Sequence, residues 1–298
     1  MKIGFVIMLV EIRGLGRALR FKEILRLAKK AEAAGLNSIW LYDHLLYKED
    51  GRTIGIWECW SMLSALAATT KRIELGTLVC CNSFRNPALL AKMAHTVDEI
   101  SGGRLILGLG AGWNEPEYRA FGLPFDHRVD RLEEALQVVG PLLKQGKVDF
   151  HGKYYQAADC EITPRGPRAG GVPLMVGGTG PRLVSLAARY ADLWNVAYTG
   201  APATYAPWRE KMLAACRDLG RDPATLGLTT LAELRFPDLF PMEPPDEEAV
   251  LTGDAQQLAA ALRGYEQLGV QHIMFHIVPA NPRGLARLAE AVRMYRGG

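Results

Sequence analysis

No apolar run in this 298-residue chain is long enough to cross a bilayer. The N-terminal run at residues 3–10 (IGFVIMLV) has one lysine before it and no small-residue cleavage site, so it reads as a buried strand rather than a signal peptide. Cysteine is scarce: Cys59, Cys80, Cys81, Cys160 and Cys216 are odd in number and form no C-x-x-C pair. That pattern fits the reduced thiols of a cytosolic protein better than a disulfide frame or a zinc site. There is no basic block; a net charge of +3 is spread among interleaved acids, which gives nucleic acid no footprint. The absence of H-x-H after the first strand and of H-E-x-x-H argues against a metal site, and the absence of G-x-S-x-G against an α/β-hydrolase. The expectation is a soluble, cytoplasmic protein with no metal, nucleic-acid or membrane partner.

What is present is alternation. Apolar strand candidates fall at 2–8, 38–42, 73–79, 104–109, 173–177, 192–197, 227–233 and 271–277. Amphipathic helical patterns fall between them at 20–34, 57–70, 87–100, 128–145, 181–190, 203–219, 254–268 and 282–296. Nearly all-apolar strands separated by helices mean a parallel sheet covered by helices, and eight such units close a barrel. We therefore expect residues 1–298 to form one TIM (β/α)8 barrel, with a doubly wound open sheet as the fallback. No G-x-G-x-x-G follows the first strand, where that fallback would place one. Two stretches rich in Pro, Gly and charge, 147–172 and 235–253, read as irregular surface insertions, the second as a lid over the active face.

Barrels bind ligands at the C-terminal ends of their strands. The second strand runs straight into Asp43 and His44, which places an acid and an imidazole on that rim. Histidine exchanges protons near neutral pH, and a neighbouring carboxylate can orient it; the alternative is a pair that only caps a loop. After the fourth strand, "LGLGAGWNEPEY" offers glycines 108, 110 and 112 for close backbone approach, Trp113 for stacking and Asn114 as a donor. The alternative there is a tight turn whose glycines serve geometry alone. "PLMVGGTGPR" sets a strand, a glycine-rich turn with Thr179, and a helix opening at Pro181 in sequence, an arrangement suited to hold an anion. The segment "ELGTLVCCNSFRNP", with Arg85, reads as a strand entering a loop. His95 reads as a helix-packing residue, whereas His276, Trp194 and Asn195 either line the pocket or bond to loops.

Taken in order, "AEAAGLNSIWLYDHL", "IELGTLVCCNSFRNPALLAKMAHTVDEISGGRLILGLGAGWNEPEYRAFG" and "PLMVGGTGPRLVSLAARYADLWN" resemble the luciferase-like monooxygenase superfamily, and most of all its branch that uses the deazaflavin coenzyme F420. The resemblance runs from the first strand to about residue 200. It implies a TIM barrel with the deazaflavin across its C-terminal face and, by analogy, a homodimer. By matching position, Asp43 and His44 lie at the reactive edge of the ring, and Leu78 and Val79 form a bulge behind it through a non-proline cis peptide. Ala111, Gly112 and Asn114 border the ring or its side chain, and Gly177, Gly178, Thr179 and Gly180 hold the phosphate.

The function this implies is hydride transfer between a small organic substrate and carbon five of F420, with His44 exchanging the substrate proton and Asp43 orienting the site. The loop Gly110-Ala111-Gly112 lacks the arginine with which FMN enzymes often grip the flavin phosphate, and "GAGW" departs from the "GTGE" of sugar-phosphate dehydrogenases by placing Trp113 at the glutamate. Two alternatives stand beside it: an FMN-dependent monooxygenase using reduced flavin and oxygen, and a non-catalytic flavin-binding barrel.

Overall fold

The computed structural model describes residues 1–12, 15–240 and 250–297. Eight parallel strands form a ring: β1 (Lys2–Val6), β2 (Ser38–Leu41), β3 (Glu74–Thr77), β4 (Leu105–Gly110), β5 (Leu174–Gly177), β6 (Leu193–Ala197), β7 (Gly227–Arg235) and β8 (Val270–Val278). Each pairs with the next, and β8 returns to β1 with Lys2 opposite His272 and Phe5 opposite Phe275, which closes the barrel. Among the described residues, eight helices of ten or more residues run outside it: α1 (Phe21–Ala33), α2 (Cys59–Thr69), α3 (Pro87–Ser101), α4 (Arg128–Lys144), α5 (Pro181–Tyr190), α6 (Pro202–Asp218), α7 (Ala255–Gln267) and α8 (Pro282–Gly297). Their buried stripes, such as Ile24, Leu27, Ala28 and Ala31 of α1, face the outer side of the strands. No helix among the described residues is long and apolar enough to cross a membrane.

The barrel expectation holds; some of its edges do not. The stretch 147–172 is not irregular throughout: Lys147–His151 and Gln156–Glu161 pair as an antiparallel hairpin. Its turn is tied to α4 by Glu134, whose carboxylate accepts the N–H groups of Lys153, Tyr154 and Tyr155 at 2.8, 2.8 and 3.0 Å. A second hairpin, Tyr47–Glu49 with Arg52–Ile54, follows β2. Of the stretch expected as a lid, Arg235 ends β7, Val250–Leu251 pairs alongside β7, and residues 241–249 lie outside the described residues.

The barrel interior is apolar above and polar at its floor. Val6, Trp40, Ile106, Met175, Leu231 and Met274 pack together inside the ring. Trp40 fits because Gly4 and Gly76 flank it: a Cβ on Gly76 would come within 2.3 Å of the indole, and one on Gly4 within 2.8 Å of its Nε1. The indole N–H can only donate, and it donates to Ser38 Oγ at 2.6 Å. The Ser38 hydroxyl proton is then free for His272 Nε2, 2.6 Å away, and that bond requires an unprotonated nitrogen. Burial pushes His272 down to about 3, with Lys2 and the chain's N-terminal amine adding repulsion.

This makes the floor acid-sensitive. A histidine whose folded pKa lies below its unfolded value contributes stability that is intact above pH 6.5 and declines as pH falls from there towards 3. At about 1.4 kcal/mol per pH unit, the loss from this one group reaches roughly 3 kcal/mol by pH 4. Urea midpoints at pH 7 and pH 4 should show that slope, and His272→Gln should flatten it; equal slopes in both proteins would show that His272 is not the sensitive group.

Candidate active site

The C-terminal mouth of the barrel opens into a cavity of about 550 Å³, a size that holds a ring cofactor or a small ligand. Its wall takes residues from the ends of five strands: Asp43 and His44 after β2, Leu78 and Val79 after β3, Gly110 to Trp113 from β4, Gly177 to Gly180 from β5, and Ala197 with Tyr198 from β6. Of the residues that the resemblance places at the ring or its phosphate, all but Asn114 line it. Asn114 is the exception: it is buried, and its amide donates to the Leu46 carbonyl at 2.9 Å, which fastens the loop after β2.

For the glycines in and after β4, the contacts favour the second of the two readings, geometry. A Cβ on Gly108 would meet the Thr77 carbonyl at 2.0 Å, and one on Gly110 would meet Val79 at 2.7 Å. Gly112, at φ +77°, would drive a Cβ to 1.9 Å from the Tyr118 hydroxyl and 2.5 Å from Cys81 Sγ. Their missing side chains are filled by protein, and geometry is the reason for them. Gly177 belongs to the same set, because its Cβ position is taken by Val79 at 3.0 Å. Together they seat the Leu78–Val79 step, whose peptide bond is cis.

Gly180 is different. It caps α5 in extended conformation, no side chain caps the helix, and a Cβ there would meet nothing within 4 Å. Pro181 fills the first helical position, where no N–H is needed. The turn is braced from behind by Trp194, whose indole N–H donates to the Gly178 carbonyl at 2.9 Å. An uncapped helix start with open space before it and all of Gly177, Gly178, Thr179 and Gly180 on the cavity wall fits a phosphate group. The residues present therefore fit a flavin-type cofactor.

His44 is half-buried and held by a carboxylate, but not by the expected one. Glu117, fully buried, sits in a short helix (Glu115–Ala120) after β4. Its oxygens lie 3.0 and 3.3 Å from His44 Nδ1, and one of them accepts the Leu45 N–H at 2.8 Å. A carboxylate facing a ring nitrogen and an amide accepts a hydrogen bond from each, so Nδ1 donates and Nε2 is left as the nitrogen without a hydrogen-bond partner among the described residues. Asp43, expected to orient this imidazole, points elsewhere. Its buried carboxylate takes the Arg85 guanidinium at 2.7 and 3.1 Å and the Cys81 N–H at 3.1 Å. Arg85 also reaches Glu58, the N-cap of α2, at 2.7 Å. Asp43 thus ties the rim to the loop after β3.

The remaining histidines of interest are structural. His95 accepts from the Gly166 N–H and bonds the Leu142 carbonyl at 3.1 Å inside the helical layer. His276 is off the cavity wall, edge-on to Tyr42 at 6.2 Å, and burial lowers its pKa. Asn195 does line the cavity, its amide donating to Thr229 Oγ1 at 3.0 Å. Residues missed in the sequence are Glu117 and the tyrosines of the mouth, Tyr42, Tyr47 and Tyr198. Tyr198 carried a signal only in its backbone, φ +59° in a non-glycine residue.

The sequence model of the luciferase-like monooxygenase family matches residues 1–235. The pyrimidine monooxygenase RutA of Agrobacterium fabrum is 36% identical over 192 residues, covering 61% of this chain and 52% of that protein. The enzyme of the same name from Stutzerimonas stutzeri is 35% identical over 172 residues, 55% of this chain and 47% of that one. The chain spans about half the length of the curated relatives it matches. Among solved structures, an F420-dependent secondary alcohol dehydrogenase superposes with a TM-score of 0.81 at 22% identity, covering 99% of each chain. The EDTA monooxygenase of Chelativorans sp. BNC1 gives 0.84 at 15% identity, covering 100% of this chain and 93% of that one. At those identities the superpositions speak for the fold.

Proposed function

The chain belongs to the luciferase-like monooxygenase family, and from that premise we propose that it is a flavin-dependent monooxygenase that takes reduced FMN, oxygen and a small organic substrate. The observation that carries the reading is the meeting, on one cavity, of an uncapped helix start and an imidazole held by a buried carboxylate. Relatives at 36 and 35% identity named as pyrimidine monooxygenases support it over the deazaflavin expectation. Hydride transfer with F420 is the second reading, and one observation favours it: the loop Gly110-Ala111-Gly112 has no arginine for a flavin phosphate.

When bound, reduced flavin supplies the electrons; the chain supplies binding, orientation and proton control. The N–H groups at the start of α5 would take the phosphate. Leu78 and Val79 would back the ring, and Gly110 to Gly112 would present only backbone to its edge. His44, held through Nδ1, offers Nε2 as the group that accepts or returns a proton at the substrate. Asp43 fixes the rim on which His44 stands. The rings of Tyr42, Tyr47, Trp113 and Tyr198 line the mouth and would limit water at the reacting atoms once a substrate covers them.

Titration with FMN and with F420 tests the cofactor, and oxygen uptake with reduced FMN tests the reaction. Tight deazaflavin binding with no FMN binding would sink the first reading in favour of the second. A finer check uses Gly180→Asp. The backbone at Gly180 (φ −61°, ψ 146°) suits an N-cap aspartate, so the fold should be unharmed or firmer by a few tenths of a kcal/mol. The new carboxylate occupies the helix start and repels a phosphate, so FMN affinity should drop by roughly a hundredfold or about 2.7 kcal/mol. Unchanged FMN affinity in a folded variant would move the phosphate site away from α5.

A further inference from the structure

The charges around the cavity are already committed, and that bears on what it admits. Among the described residues the wall carries no lysine and no arginine. Its two carboxylates face protein partners: Asp43 the Arg85 guanidinium, Glu117 the His44 ring and the Leu45 amide. With the start of α5 taken by a flavin phosphate, a charged substrate would lose its hydration there and find no counter-ion. Polar groups that remain are neutral: the Thr179 hydroxyl, the Asn195 amide, and the phenols of Tyr42 and Tyr47, which burial keeps protonated by pushing their pKa values up.

The rest of the mouth is aromatic, and one ring is conspicuously under-used. Trp113 lines the cavity yet leaves 66% of its surface exposed. It is nevertheless placed, edge-on to His44 with ring centroids 5.5 Å apart and tilted against Tyr47 at 6.3 Å; His44 and Tyr47 are themselves 4.6 Å apart. Apolar surface left open beside a cavity is the surface a ligand covers. Tyr198, 49% exposed on the same wall, adds a second open ring.

We propose that the substrate is an uncharged, flat aromatic or heteroaromatic molecule that seats against Trp113 and Tyr47, with its polar edge towards His44 Nε2. As a statement about the reaction this rests on the flavin reading above; as a statement about binding it does not, and the two can fail separately. Stacked or edge-on aromatic pairs contribute beyond the area they bury, so flatness as well as apolarity is recognised.

Three probes of one outline separate charge from flatness: 2-naphthamide, its anion-bearing analogue 2-naphthoate, and the saturated decahydro-2-naphthamide. With FMN-loaded protein, 2-naphthamide should bind roughly tenfold more tightly than either of the others. Trp113→Leu, at an exposed position where folding is not at risk, should weaken 2-naphthamide by about tenfold and FMN by less than threefold. Equal binding of the carboxylate overturns the neutral class, and equal binding of the saturated amide overturns the stacking platform. No measurable binding of 2-naphthamide, or a variant that loses FMN rather than 2-naphthamide, also overturns the proposal. If FMN does not bind at all while the same ranking appears on the unloaded protein, the flavin reading falls and the substrate class stands.

Discussion

Glu117→Gln is expected to cut turnover by about a hundredfold while flavin affinity stays within a few-fold. Two donors, the His44 Nδ1–H and the Leu45 N–H, converge on the two oxygens of this buried carboxylate. Glutamine offers one acceptor and one donor in their place, so one of the two hydrogens must face an NH₂ group. Either the Leu45 amide is left unsatisfied, which costs about 1–3 kcal/mol of stability, or the imidazole turns over to its other tautomer and presents the wrong nitrogen to the substrate. A structural role alone would lower stability and spare the chemistry. Positioning has a separate signature: because Glu117 acts through His44, adding Glu117→Gln to His44→Ala should cost no further turnover, although each single variant is slow. Additive losses in that cycle would mean that Glu117 meets the substrate by another route.

The contrast between Glu117 and its neighbours shows which parts of this molecule the sequence discloses. All eight barrel strands lie within two residues of the runs that mark them, because a strand buried on both faces is nearly all apolar and its ends meet Gly, Pro or charge. The overruns have local causes. Ile7 and Met8 are as apolar as the strand before them, but the ladder has already ended at Val6; beyond it the Ile7 N–H donates to the Trp40 carbonyl at 3.0 Å. Residues 78 and 79 continue the apolar run of β3 yet turn into the cavity. The hairpin at 147–161 left no such trace, since its residues are largely exposed and it is anchored by Glu134 from α4 rather than by a core.

The site divides in the same way. His44 and the turn at Gly177–Gly180 were legible because strand-end position and a strand–turn–helix order are local properties. What orients His44 is not local: Glu117 lies 73 residues along the chain. Nor could adjacency in sequence tell that Asp43, next to His44, would turn to a guanidinium 42 residues away. The glycines left two readings open for a related reason. A pattern such as Gly110-Ala111-Gly112 says that no Cβ fits, and only coordinates say whether ligand or protein occupies the space; here it is Val79, Tyr118 and Cys81.

Arg85→Met is expected to be the most destabilising single change at the site, by about 3–5 kcal/mol, with the melting temperature falling on the order of 10 °C. The Asp43 side chain is wholly buried, and apart from the Cys81 N–H its hydrogen-bond partners among the described residues are the two guanidinium nitrogens of Arg85. Methionine matches the bulk of the arginine stem and leaves a carboxylate in the interior without its counter-charge. The other partner loses little, because the Glu58 side chain is 41% exposed and its cap on Trp60 and Ser61 survives. The penalty is therefore that of the orphaned Asp43, and it should shrink when Asp43 is neutralised too: the pair Asp43→Asn with Arg85→Met should recover a large part of the loss. Arg85→Lys should fall between, keeping the charge while giving up the two-pronged contact. Leu78 and Val79 sit on the segment that this ion pair ties to the rim, so flavin affinity should weaken in Arg85→Met and return with the double variant. Denaturant melts and flavin titrations on the three proteins check both halves; a stability loss below 1 kcal/mol in Arg85→Met would mean that the Asp43 carboxylate finds water, and that the rim does not depend on this pair.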